Sequence, residues 1–312
     1  MEKFLYLTGS KGSGKNLIRG LLDGHPQLFV SAFHERIFEA FCEDDANVSN
    51  KKDIEQIRVA LASKGHYFQL ERHSWFKKHA YHIASDVFKF IDKNFDYYSF
   101  DKSWVEDLYR KGTKWTSQEV CRAIYRSFSQ QVSSPFLKKV SKKKYYCALS
   151  EGYSNAIPRF IKTFPNSKII YMKRDPIEIV AALVGRKSSP TDSYSGWFTR
   201  DALFKTWATH DFIRLLVKLD NQAETAMKKY PDQVMIVKFS NFFDNLKNET
   251  ARIRKFLKIS DDISLKHYSI AGHNIFDSDG NSFLTKRVDY GYGNLSKTEI
   301  KKLKSYLGKV RK

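Results

Sequence analysis

Phe4-Leu5-Tyr6-Leu7-Thr8-Gly9-Ser10-Lys11-Gly12-Ser13-Gly14-Lys15 is the stretch on which the reading of this 312-residue chain turns. Residues 4–8 form a short apolar run rich in strand formers, and Leu17, Ile18, Leu21 and Leu22 recur afterwards at helical spacing. The predicted order is strand, glycine-rich turn, helix, with Asp23-Gly24-His25-Pro26 as the stop signal. Glycines let a backbone approach an anion closely, and the helix behind them points free N–H groups and its positive dipole end at the same place. Lys11 and Lys15 add charge there, which an ordinary strand–helix turn does not need. Ser10, Lys11, Gly12, Ser13, Gly14, Lys15 and Asn16 are therefore expected to line a phosphate site.

Outward from this loop, strands and helices alternate. Leu28-Phe29-Val30 reads as a strand with a helix through Arg36 to Phe41, and Tyr145–Leu149 as a strand with a helix through Phe164. Lys168–Met172 has a buried-strand pattern closed by Arg174-Asp175-Pro176, and Ile177–Val184 reads as helix. A long helix over 200–229, a strand at Val234–Lys238, a helix over 247–257 and a last helix from Lys297 complete the pattern. The alternation predicts an α/β fold, a three-layer parallel sheet with helices on both faces. Residues 44–140 are aromatic and basic, with helices expected near 53–64, 79–93 and 116–131. They are read as a helical insertion in a single domain over 1–312, helping to form an acceptor pocket.

Lys and Arg outnumber Asp and Glu by 54 to 34, a net charge of +20. That excess attracts anions, although a solvated lysine-rich surface accounts for any single run. Cys42, Cys121 and Cys147 are odd in number and form no CxxC pair, which suits a reducing compartment. The run Phe4–Leu7 is too short for a signal segment, and no stretch of about 18 apolar residues occurs. The expectation is a soluble, cytoplasmic protein without a transmembrane segment. His66, His73, His79 and His82 share a region but show no HExxH or paired-cysteine framework, so no metal site is expected. Residues 297–312 lack an interleaved aromatic signature and read as an amphipathic helix with a solvated face rather than a nucleic-acid surface.

Two families use such a loop. The P-loop kinases and nucleotide phosphohydrolases follow GxxxxGK[ST]; Gly9, Gly14 and Lys15 fit, but Asn16 replaces the hydroxyl that ligates magnesium. Asp175 is the one Walker-B-like acid, and it follows an arginine. The second resemblance reaches further. Gly9 to Pro26, GSKGSGKNLIRGLLDGHP, resembles the 5′-phosphosulfate loop and helix of the sulfotransferases, G-x-P-R-S-G-T-T-L-x-R-x-L-L-D-A-H-P. Ser13, Gly14, Leu17, Arg19, Leu21, Leu22, Asp23, His25 and Pro26 match. Phe164 to Ala182 resembles the 3′-phosphate segment of that family, F-P-x-A/S-K-x-I-x-x-x-R-D-P, and Arg186-Lys187 continues the match to its tyrosyl-protein branch. Val234 to Leu257 resembles the later strand and helix.

The resemblance implies a donor, 3′-phosphoadenosine 5′-phosphosulfate, and transfer of its sulfuryl group to a hydroxyl or amine without a metal. Its by-product is the 3′,5′-bisphosphate; carbohydrate, peptide tyrosine, lipid and small alcohol are all open as acceptors. Arg174 is the implied 3′-phosphate anchor, with Arg186 compensating for Ala182 where the family carries serine. The family's key loop cation falls on Gly12, so Lys15 or Lys11 takes that part. Glu35 is the first choice of base and His34 the second. Ser150-Glu151-Gly152 replaces the family's Lys-Thr/Ser-Pro motif. Gly280-Asn281-Ser282 resembles its G-N-S segment, with Ser282 and Lys286 or Arg287 closing over the donor. Two alternatives stand beside this reading: a kinase using ATP–magnesium, and a nucleotide-binding relative that has lost its chemistry.

Overall fold

In a computed structural model of the chain, the residues described are 3–10, 12–30, 54–55, 57–58, 96–112, 114–131, 144–149, 156–184, 208–266, 269–270, 273–274 and 292–311. Five short strands, β1 (Lys3–Thr8), β2 (Leu28–Val30), β3 (Tyr145–Leu149), β4 (Lys168–Lys173) and β5 (Val234–Lys238), form one parallel sheet. Its order is β2-β3-β1-β4-β5. Their residues form continuous apolar runs because both sheet faces are covered, as parallel sheets require. The chain crosses to opposite sides of β1 before and after β3, so the crevice of this fold opens at the carboxyl end of β1.

The covering helices are α1 (Lys15–Leu22), α2 (Tyr97–Lys111), α3 (Ser117–Gln131), α4 (Ala156–Thr163), α5 (Pro176–Val184), α6 (Ala208–Lys229), α7 (Phe239–Asp244), α8 (Leu246–Leu257) and α9 (Lys297–Val310). Alternation along the strands sorts them. On one face Phe4 meets Tyr125 of α3 at 5.8 Å, Tyr6 stacks on Phe160 of α4 at 4.8 Å, and Tyr171 reaches Asp220 of α6. On the other, the Tyr145 hydroxyl donates to the Leu257 carbonyl at the end of α8, 3.1 Å away. The expected three-layer α/β architecture is the one observed.

The strands and most helices lie where the sequence placed them. Helix α2 is an addition to that reading. Its apolar residues Phe100, Trp104 and Leu108 make a narrow stripe in an otherwise charged segment, and burial against α3 selects them. Asp96 caps its start by accepting from the Ser99 amide, and Gly112 at φ 134° ends it. The described part of the 44–140 segment shares the main core: Phe128 of α3 meets Phe29 of β2 at 5.6 Å. The expected helix near 79–93 lies outside the described residues, as does the one through 36–41.

The His25 motif is a structural clamp. Nδ1 of His25 accepts from the Gln27 amide, and Nε2 faces the Ser260 carbonyl at 3.2 Å. Gln27 Oε1 accepts from the Ser260 amide in return, so the end of α1 is tied to the chain after α8.

Between β4 and α6, the Tyr171 hydroxyl donates to Asp220 at 2.8 Å and Lys173 pairs with Glu224 at 2.5 Å. Burial pushes the Asp220 carboxyl up to about 6 from 3.8, against the opposing pull of the Tyr171 hydrogen bond and Lys173. The folded state therefore holds a proton here that the unfolded state has lost between those values. This group's contribution to stability falls as pH rises from about 4 to about 6 and stays low above. Asp220→Asn is expected to remove that fall, worth roughly 1–3 kcal/mol. Urea melts of wild type and variant across pH 4–8 check this; parallel stability–pH curves would contradict it.

Candidate anion-binding site

The loop between β1 and α1 is built by glycine geometry. Gly9, Gly12 and Gly14 have φ of 147°, 84° and 92°. A Cβ on Gly9 would fall 2.7 Å from the Met172 carbonyl oxygen, and one on Gly14 would fall 2.6 Å from the Phe239 ring. The positions are glycine because β4 and α7 approach the backbone too closely for anything larger. Gly14→Ala is expected to cost about 2–4 kcal/mol through strain and overlap. Gly308→Ala is the control, since its Cβ meets nothing within 4 Å and alanine favours the helix interior. Denaturant melts should separate the two in sign.

Helix α1 starts at Gly14 with no capping side chain and no acid in its first turn. The leading N–H groups of a helix have no intrahelical partner, so this end suits an anion. Ser10 and Ser13 are buried beside it, and among the described residues the Ser13 hydroxyl has no hydrogen-bond partner. The side-chain oxygen of Asn16 is likewise buried and unpartnered. Lys15 is buried in the first turn, its Nζ donating to the Gly9 carbonyl at 3.2 Å. A lysine held over its own loop in this way carries its charge at the loop.

Gly12 explains why the expected loop cation is missing. A side chain there would adopt a strained φ and point at Ile179 (3.3 Å) and Leu183 of α5. The Gly12 carbonyl instead accepts from Nη1 of Arg174 at 3.1 Å. Arg174 follows β4, is 7% exposed, pairs through Nε with Glu178 at 3.1 Å, and lies 3.9 Å over the Phe239 ring. The structure thus brings Arg174 to the phosphate loop and also makes it a brace of that loop. The sequence did not show this second part, because the Gly12 contact spans 162 positions. Phe239, which walls both Gly14 and Arg174, was not singled out either; only its place directly after β5 marks it.

Asp175 accepts from the amides of Ile177 and Glu178, capping α5. Ala182 is buried within that helix, with no hydroxyl to offer. Lys11, His34, Glu35, Glu151, Arg186, Ser282, Lys286 and Arg287 lie outside the described residues. Among the described residues no group of three His, Cys, Asp or Glu side chains is placed to hold a metal ion, and no helix is long and apolar enough to cross a membrane.

A central strand, a glycine cradle, an uncapped helix and a buried lysine give this α/β protein a loop at the carboxyl edge of its sheet with the geometry and charge to suit an anion. The sulfotransferase family model matches residues 5–262, and the chain belongs to that family. Its fold is similar to the sulfotransferase domain from the Synechococcus PCC 7002 olefin synthase, with TM-score 0.51, 11% identity, and 98% of this chain and 96% of that one covered. A sulfotransferase domain from the curacin biosynthetic pathway aligns with TM-score 0.47 and 13% identity over 99% of this chain and 98% of that one. A sulfotransferase from Alicyclobacillus acidocaldarius aligns with TM-score 0.46 and 10% identity over 99% and 93%. No curated protein matches the chain by sequence.

Proposed function

We propose that the chain transfers the sulfuryl group of 3′-phosphoadenosine 5′-phosphosulfate to a hydroxyl or amine acceptor. The bond from sulfur to the bridging oxygen breaks, a bond from sulfur to the acceptor forms, and the acceptor proton passes to a base. The 3′,5′-bisphosphate leaves. The loop geometry carries this reading within the family: a cradle that excludes side chains at Gly9 and Gly14, with the buried Lys15 held over it. Ser13 and the α1 amides hold the 5′-phosphosulfate, and Lys15 neutralises charge that grows on the leaving phosphate. Arg174 contributes to the 3′-phosphate while bracing Gly12.

The kinase alternative loses support because Asp175 caps a helix and Asn16 stands where a hydroxyl is needed. Thermal shift with the 3′,5′-bisphosphate against ATP–magnesium tests the reading, since a ligand specific for the folded state raises stability. Stabilisation by the bisphosphate is expected; a shift with ATP–magnesium alone would overturn the proposal. Hydrolysis of the donor to free sulfate separates a working enzyme from a relative that only binds, because water is always available as an acceptor.

Arg174→Ala is expected to weaken bisphosphate binding by about 2–4 kcal/mol, through loss of a charge-assisted fork. Adenosine 5′-phosphosulfate, which lacks the 3′-phosphate, should lose less affinity, because only the brace on Gly12 is removed for it. Calorimetry with both ligands checks this, and equal losses would make Arg174 a brace alone.

A further inference from the structure

Away from the phosphate loop, the outer side of α6 forms a trough with α4 and the end of α9, about 570 Å³ in volume. Arg214, Lys218, Asn221, Thr225 and Lys229 follow one another along α6 at helical spacing, and all are exposed. Val217, Ala226, Tyr230, Pro158 and Val310 supply apolar surface between them. No carboxylate is among the described lining residues. The acids of α6 lie elsewhere: Asp220 and Glu224 turn to Tyr171 and Lys173, and Asp211 sits one turn before the trough, 3.9 Å from Arg214. Along the trough itself, Arg214, Lys218 and Lys229 therefore face no lining carboxylate among the described residues.

We infer that this trough docks a linear anionic polysaccharide. Cations spaced along one helix suit a chain of regularly spaced carboxylate or sulfate groups, and the guanidinium of Arg214 forks onto either. The Asn221 amide can hydrogen-bond to sugar hydroxyls, and the Thr225 hydroxyl, which donates to the Asn221 carbonyl at 2.8 Å, can accept from one. A helical peptide needs a row of apolar pockets at helical spacing, and single-stranded nucleic acid needs a run of stacking platforms. The described trough has neither, since Tyr230 is its one aromatic and Lys229 sits 5.3 Å over that ring. This inference does not depend on the sulfotransfer reading, and the bisphosphate thermal shift keeps the two apart.

The test is fluorescence anisotropy of the full chain with a labelled oligogalacturonate and a heparin decasaccharide, against oligoglutamate and a single-stranded oligonucleotide of similar charge. The variant R214E/K218E/K229E is compared with K297E/K301E/K304E, an equal charge change on the exposed face of α9 turned away from Leu303 and Leu307. Both saccharides should bind wild type more tightly than oligoglutamate or the oligonucleotide. The trough variant should lose at least about 10-fold in saccharide affinity, with a shallower dependence on salt, and the α9 variant less than about 3-fold. If the reversal fails to fold, R214Q/K218Q/K229Q should give the same ranking. Equal losses in the trough and α9 variants would overturn the proposal as general surface charge. Tighter binding of oligoglutamate or of the oligonucleotide would overturn it in favour of an acidic peptide or a nucleic acid.

Discussion

Lys15→Ala is expected to lower turnover by about 10²–10³-fold while changing donor affinity far less. The buried Nζ lies on the Gly9 carbonyl, within the loop assigned to the phosphosulfate. Charge on the bridging oxygen grows only as the bond to sulfur breaks, so a cation aimed there stabilises the transition state more than the bound donor. Single-turnover kinetics with donor titration measure the split. An equal loss in binding and turnover would make Lys15 a binding cation, and wild-type turnover would pass the role to Lys11. Lys15→Arg should not restore full activity, because the small space over Gly9 suits an ammonium rather than a planar fork.

Glu35→Gln is expected to have an effect as large or larger, cutting transfer by about 10²–10⁴-fold with donor binding intact. Both Glu35 and His34 follow β2, whose carboxyl end lies at the same sheet edge as the phosphate loop, two strands away. Glutamine preserves shape and removes the base. His34→Asn is measured beside it with the same donor and a panel of hydroxyl acceptors, and with donor hydrolysis as a second readout. Near-normal turnover in Glu35→Gln together with its loss in His34→Asn would move the base to the histidine.

Much of this was legible in residues 4–30 and 164–184. Continuous apolar runs can be satisfied only by strands covered on both faces, and the positions of Gly9 and Gly14 mark a backbone approached too closely for a side chain. Local signals of that kind are written within a few residues of one another. Helix α2 was not legible, because its three buried apolar residues are outnumbered by charges and only α3 makes that stripe the inner face.

By itself the sequence determined the parallel α/β fold and the glycine-rich turn between β1 and α1, since hydrophobic periodicity and glycine placement are properties of short segments. Tertiary structure alone decided what the loop rests on. Arg174 braces Gly12, Phe239 walls Gly14, and burial between α6 and β4 raises Asp220. Each depends on which strand end meets which helix or on how deeply a group is buried, and the parallel order β1-β4-β5 sets both. The physical reason is distance along the chain: a contact between residues 12 and 174 leaves no pattern in either neighbourhood.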